Sequence, residues 1–185
     1  MRCNNCNTVI EYNSRFCGSC GDKISTNIES NNKLNGLRGW LILVGIGIIF
    51  APIRLIAMIF PIYSQIFSNG TWEILTTEGT NAYNSLWAPI LLGEIGINIL
   101  LIFTWLFIAF LFFMKKKIFP KVYISVLIFT FVFIILDAFA IKMVLPNEAV
   151  FDKDTLKEMA RSIIGMAIWI PYMLISKRVK ATFIK

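Results

Sequence analysis

The residues most able to do chemistry in this sequence are four cysteines near the N-terminus. They form two Cys-x-x-Cys pairs, Cys3 with Cys6 and Cys17 with Cys20, separated by ten residues. Each pair can place two thiolates on one metal ion from a tight turn, and two such turns supply the four ligands of a tetrahedral site. The spacing therefore predicts one structural zinc ion per chain, bound by Cys3, Cys6, Cys17 and Cys20.

Other uses of the four thiols remain open at this stage. Iron in a rubredoxin-like site needs the same four ligands. Two disulfides are disfavoured because the module is expected to lie in the reducing cytosol. A catalytic zinc is disfavoured because four cysteine ligands leave no open position for water. About twenty residues are too few for a hydrophobic core, so metal binding would supply the folding energy, and Gly18 and Gly21 would allow the turns.

The composition excludes many enzymes and indicates a membrane protein. There is no histidine, so Ser-His-Asp and Cys-His nucleophilic pairs and His-based metalloprotease sites are excluded. Of the 185 residues, 57% are hydrophobic and 16% are charged. Soluble domains average about 45–50% apolar and about 25% charged residues. We therefore expect an integral membrane protein without enzymatic activity.

Four apolar segments are long enough to cross a bilayer, which takes about 20 residues. They are residues 39–66, 86–114, 122–145 and 159–175. Residues 1–24 form the predicted zinc module, 25–36 a polar Asn/Ser-rich linker, and 37–185 the membrane domain. No secretory signal is expected, because the first apolar run begins only after a polar stretch. Glycines within the spans predict close helix packing, namely Gly45, Gly47, Gly93, Gly96 and Gly165.

The basic residues predict the orientation of the spans. With four spans, both termini and the loop between the second and third spans lie on one side of the membrane. Thirteen Lys and Arg fall on that side and four on the other, which predicts cytoplasmic termini. The net charge of +7 is therefore interpreted as a topological signal, and no nucleic-acid partner is expected. The thirteen are Arg2, Arg15, Lys23, Lys33, Arg38, Lys115, Lys116, Lys117, Lys121, Lys177, Arg178, Lys180 and Lys185; the four are Lys142, Lys153, Lys157 and Arg161.

Three charged residues, Arg54, Glu94 and Asp137, fall inside the predicted spans. Each costs about 2.5–3.5 kcal/mol at the centre of a membrane helix, so lipid-facing positions without a partner are disfavoured. At about 1.5 Å per residue, all three lie at similar depths, near the midplane or in the outer half. They are predicted to form an intramembrane polar cluster. The cluster would either fix the helix register or line a pocket for an ion or small polar ligand.

Several stretches resemble a known bacterial membrane family. They are GLRGWLILVGIGIIFAPIR at 36–54, GTWEILTTEGTNAYNSLWAPILLGE at 70–94, FPKVYI at 119–124, LDAFA at 136–140 and AIWIPYMLISKRVKATF at 167–183. Together they are similar to an uncharacterised family, the domain of unknown function DUF2569. The resemblance implies a four-helix inner-membrane domain and no particular activity. Residues 15–24, RFCGSCGDKI, resemble the zinc ribbons found at the N-termini of many bacterial membrane proteins.

Together these features predict an all-α integral membrane protein, a four-transmembrane-helix bundle with a small N-terminal cytosolic zinc ribbon. The expected location is the bacterial cytoplasmic membrane. The expected role is interaction, sensing or scaffolding, with membrane lipid around the bundle and a protein partner on the ribbon. The alternative is a small transporter or channel component with a polar pocket around Arg54, Glu94 and Asp137.

Overall fold

In a computed structural model the chain divides into two compact units, and the boundary between them in the sequence falls between Gly36 and Leu37. The structure describes residues 2–3, 5–10, 14, 16–22 and 36–184. Apart from Gly36, the predicted linker at 25–36 lies outside the described residues.

The small N-terminal unit is organised around its cysteines. Cys3, Ile10 and Cys17 are buried together, and Cys6 packs against them. Arg2 and Val9 form an isolated antiparallel bridge between the segments that flank the first Cys-x-x-Cys turn. Among the described residues of this unit few apolar side chains are buried, so burial alone supplies little stability there.

The second unit is helical. Its helices are α1 (Trp40–Ser68), α2 (Thr71–Thr76), α3 (Trp87–Phe113), α4 (Phe119–Val144), α5 (Lys153–Ile175) and α6 (Lys177–Thr182). The four long helices, α1, α3, α4 and α5, are each long and apolar enough to cross a membrane. The predicted all-α fold with four membrane-length helices is confirmed, and the protein is a multi-pass membrane protein.

Local sequence signals explain where the helices begin and end. Gly39 precedes α1 with a φ of 62°. The turn between α3 and α4 contains Lys115 in the left-handed region, with a φ of 54°. At the start of α5, the Asp152 carboxylate accepts a hydrogen bond from the Thr155 backbone N–H. Ser176 caps α6 in the same way through the Val179 N–H.

The start of α5 differs from the predicted span. The helix begins at Lys153, six residues before the apolar segment predicted at 159. Its first turns are polar, so they carry little hydropathy signal, and the Asp152 cap satisfies the backbone N–H of Thr155 there. The additional turns bring Glu158 into the helix.

Helix packing is concentrated at the two ends of the membrane unit. Adjacent helices pack as α1 with α3, α3 with α4, and α4 with α5. At the end where α1 begins, buried residues of α1, α3, α4 and α5 meet residues of α6 and the C-terminal segment, among them Leu41, Ile108, Phe119, Met173 and Phe183. At the opposite end a smaller cluster surrounds Trp87, Leu91 and Val144.

Only part of the glycine prediction holds. A Cβ added at Gly45 would lie 2.9 Å from Cε1 of Phe112, so α1 and α3 approach closely at that point. At Gly47, Gly93, Gly96 and Gly165 an added Cβ would meet nothing within 4 Å in the described part of this chain. Close packing is therefore confirmed at Gly45, and the prediction is wrong for the other four within the chain.

Candidate metal centre and membrane-embedded charges

The two Cys-x-x-Cys turns have the same backbone geometry. In the first, the Cys3 N–H donates to the Thr8 carbonyl at 3.0 Å, and the Asn7 N–H donates to the Cys3 carbonyl at 2.9 Å. In the second, the Cys17 N–H donates to the Asp22 carbonyl at 2.8 Å, and the Gly21 N–H donates to the Cys17 carbonyl at 2.9 Å. The equivalent residues Asn7 and Gly21 both have a positive φ, 61° and 71°. Glycine and asparagine are the residues that adopt this conformation most readily.

These turns bring the four thiols together. All four Sγ atoms lie within 4.8 Å of one another, with 3.6 Å between Cys3 and Cys20 and 3.4 Å between Cys6 and Cys17. A tetrahedral ion with metal–sulfur bonds of about 2.3 Å separates its ligands by about 3.8 Å. The spacing fits a four-thiolate metal site, so Cys3, Cys6, Cys17 and Cys20 could hold one metal ion.

The surroundings of Cys6 favour the thiolate form. Its Sγ lies 3.3 Å from Oγ1 of Thr8. Hydrogen bonding to the side chain and then the backbone of Thr8 lowers the pKa of the Cys6 thiol to about 6. The thiolate is the form that binds metal.

In the membrane unit, Arg54 is part of a charged group between α1 and α5. Its Nη2 donates to Oε2 of Glu158 at 2.7 Å, and the other oxygen of Glu158 accepts from Arg161. The side chains of Arg54 and Arg161 are 48% and 47% exposed, and that of Glu158 is 28% exposed. Among the described residues, Arg54 forms its ion pair with Glu158 and not with Glu94 or Asp137.

Glu94 and Asp137 belong to a second polar group. The Tyr63 hydroxyl and the two carboxylates are close enough to interact electrostatically. Nδ2 of Asn98 donates to the Glu94 carbonyl at 3.0 Å and lies 3.4 Å from the Tyr63 hydroxyl. Asn98 is buried, at 6% exposure, one turn after Glu94 on α3. α1, α3 and α4 thus each contribute to this group.

Sequence reasoning had not singled out Glu158, Tyr63 or Asn98. A helix-start signal was available for Glu158, because Asp152 is a favoured N-cap residue and Asp154 places an acidic side chain in the first turn. For Asn98, the four-residue spacing from Glu94 places both on one helix face. No sequence signal distinguished Tyr63 from the other aromatic residues of α1.

Comparison with known proteins adds the family. A family model, described as a protein of unknown function (DUF2569), matches residues 34–184. The match covers the whole membrane unit apart from its last residue. Comparisons with curated proteins and with solved structures found no significant match. The match spans far more than half of the sequence, and its position agrees with the stretches that carried the resemblance. The chain therefore belongs to the DUF2569 family.

Proposed function

We propose that the protein is a membrane-anchored interaction protein of the bacterial inner membrane, whose zinc ribbon contacts a protein partner in the cytosol. The four-thiol cluster is the observation that carries this proposal. Four cysteine ligands complete a tetrahedral shell, so the metal would stabilise the fold and perform no catalysis. A small, metal-stabilised unit attached to a membrane domain suits a role in contact with another protein.

Zinc is the metal that best suits the four thiols. Zinc has no redox chemistry, and sites with four cysteine ligands are among its common structural sites. Bound there, zinc would supply folding energy that the small core of Cys3, Ile10 and Cys17 lacks. The excess of basic residues flanking the predicted spans supports a cytosolic position for the ribbon, where disulfides are rare.

The ribbon offers two apolar side chains for a partner. Val9 is 74% exposed and Phe16 is 58% exposed, and each lies next to one of the two turns. Large aromatic and aliphatic side chains provide much of the binding energy at protein interfaces when a partner covers them. We infer that Val9 and Phe16 form part of the contact surface.

The test combines metal analysis with crosslinking of the full chain in its native membrane. Elemental analysis of the purified protein should give about one zinc per chain, and Cys17→Ser should lose it. A photo-crosslinking amino acid at the exposed position 19 should capture one protein partner. The double variant Val9→Ser, Phe16→Ser should lose the crosslink and keep its zinc, whereas the exposed control Asn5→Ser should keep both.

Three results would contradict the proposal. Iron, or no metal at all, in the purified protein would refute the zinc site. An unchanged crosslinking pattern in the double variant would refute the contact surface. Equal losses in the Asn5→Ser control would show that the loss is not specific to Val9 and Phe16, which refutes the contact surface as well.

A further inference from the structure

The fold gathers basic residues from distant parts of the sequence at one end of the membrane unit. The chain turns at Ser176, and α6 lies against the turn between α3 and α4. The Phe183 ring stacks on Phe119 with centroids 4.4 Å apart and also contacts Phe112 at 5.8 Å. Val179, on α6, is 1% exposed. This packing fixes α6 beside the α3–α4 turn.

This basic end carries no opposing charge on the segments that form it. Residues 37–72, 95–136 and 159–184, all of which the structure describes, contain no Asp or Glu. Several of the basic side chains, including Lys117, Lys121, Lys177 and Lys180, are exposed. The basic end comprises Arg38, Lys115, Lys116, Lys117, Lys121, Lys177, Arg178 and Lys180.

One of these side chains has an unused buried donor. Nη1 of Arg178 is fully buried and has no hydrogen-bond partner among the described residues. A buried donor without an acceptor is costly, and most such groups in folded proteins have a partner. That nitrogen has no accessible surface and is not itself a lipid contact, but Arg178 as a whole is only partly buried. The planar fork of an arginine is a well-matched donor to phosphate oxygens.

Apolar side chains border the basic end. Met114 and Ile118 flank the lysines of the α3–α4 turn and are 49% and 54% exposed. Leu174 and Ile175, just before α6, are 58% and 74% exposed. An exposed apolar belt next to a basic surface matches the boundary between acyl chains and phosphates in a bilayer.

We propose that the basic end of the membrane unit is a binding surface for the phosphate headgroups of anionic phospholipids, with the partly buried Arg178 among its exposed lysines. The surrounding lysines contribute attraction without a fixed geometry, since each is a flexible point charge. The assignment rests on the membrane unit alone and is independent of what the ribbon contacts.

The experiment measures lipid binding by the full chain in neutral detergent, using native mass spectrometry and thermal unfolding. Phosphatidylglycerol, phosphatidylcholine and inorganic phosphate are the three probes. We expect phosphatidylglycerol to bind more tightly than phosphatidylcholine and to raise the unfolding temperature more, and its binding to weaken as salt is added. Lys180→Gln should weaken phosphatidylglycerol binding about fivefold. Arg178→Gln should weaken it by about tenfold or more.

Matched variants keep the proposal falsifiable. Lys157→Gln removes an exposed charge from the opposite end and should leave phosphatidylglycerol affinity unchanged. Arg178→Lys keeps the positive charge but removes the planar guanidinium. Its phosphatidylglycerol affinity should lie between those of the parent and Arg178→Gln. If Arg178→Gln does not fold, the exposed Lys180→Gln and Lys117→Gln carry the test, and parental affinity in both would overturn the proposal. Equal binding of the two lipids would also overturn it, as would the same stabilisation by inorganic phosphate alone.

Discussion

Arg54 shows how a single charged side chain is accommodated in a long apolar helix. It lies fourteen residues from each end of α1, or roughly 21 Å along the helix. An unpaired arginine at such a depth costs about 2.5–3.5 kcal/mol. The contact with Glu158 at 2.7 Å offsets part of that cost and joins α1 to α5. Because Glu158 also binds Arg161, it keeps one partner when Arg54 is removed.

We therefore expect Arg54→Leu to lower the unfolding temperature of the purified protein in detergent. The side chains of the pair are 48% and 28% exposed, so its coupling should be on the order of 1 kcal/mol, near the upper range for exposed pairs. A double-mutant cycle with Glu158→Gln measures this coupling. Lys157→Leu on the exposed face of α5 is the control. An Arg54→Leu protein as stable as its parent would contradict a structural role and favour a ligand at this position.

At the scale of the element, α1 and α3 approach each other closely at Gly45. Phe112 is 2% exposed and packs on Phe113, Phe119 and Phe183, so its ring has little room to move. Gly45 lies directly against this ring. Gly47, two residues on in the same helix, faces open space.

The two glycines should respond differently to alanine. In Gly45→Ala the new methyl group would lie 2.9 Å from the Phe112 ring, and overpacking of this kind costs about 1–3 kcal/mol. Gly47→Ala meets no neighbour and should be neutral or stabilising by up to about 1 kcal/mol, because alanine is the better helix former. Thermal unfolding of both variants measures the difference. Equal stabilities would show that the ring yields and that Gly45 does not set the helix separation.

The elements themselves were largely predictable, and their contacts were not. Long apolar runs identified four helices because hydropathy is a local property of the sequence. The early start of α5 was missed, since its first turns are polar and depend on the Asp152 cap. The cysteines were recognised as one site because their spacing alone implies it. Arg54 is grouped with Glu158, and Glu94 with Tyr63 and Asn98. These groupings depend on how each helix is rotated about its axis and on which helices pack together, and hydropathy predicts neither.

At the scale of the whole molecule, charge is distributed unevenly along the membrane unit. The basic end has eight Lys and Arg and no acidic residue in the segments that form it. The rest of the described membrane unit has five basic residues and eight acidic ones. Most of the acidic residues lie towards the opposite end. Because cytoplasmic loops are rich in Lys and Arg, this asymmetry favours a cytoplasmic position for the α3–α4 turn and α6.

Reporter fusions test that orientation. Alkaline phosphatase fused after residue 75 should be active, because α2 follows the first span on the outer side. The same enzyme fused after residue 116 should be inactive, and a green fluorescent protein fused there should fluoresce. Immunoblots of each fusion control for expression. The reverse pattern would contradict the orientation and would place the cysteine module outside the reducing cytosol, where the same four thiols would be expected to form disulfides in place of a zinc site.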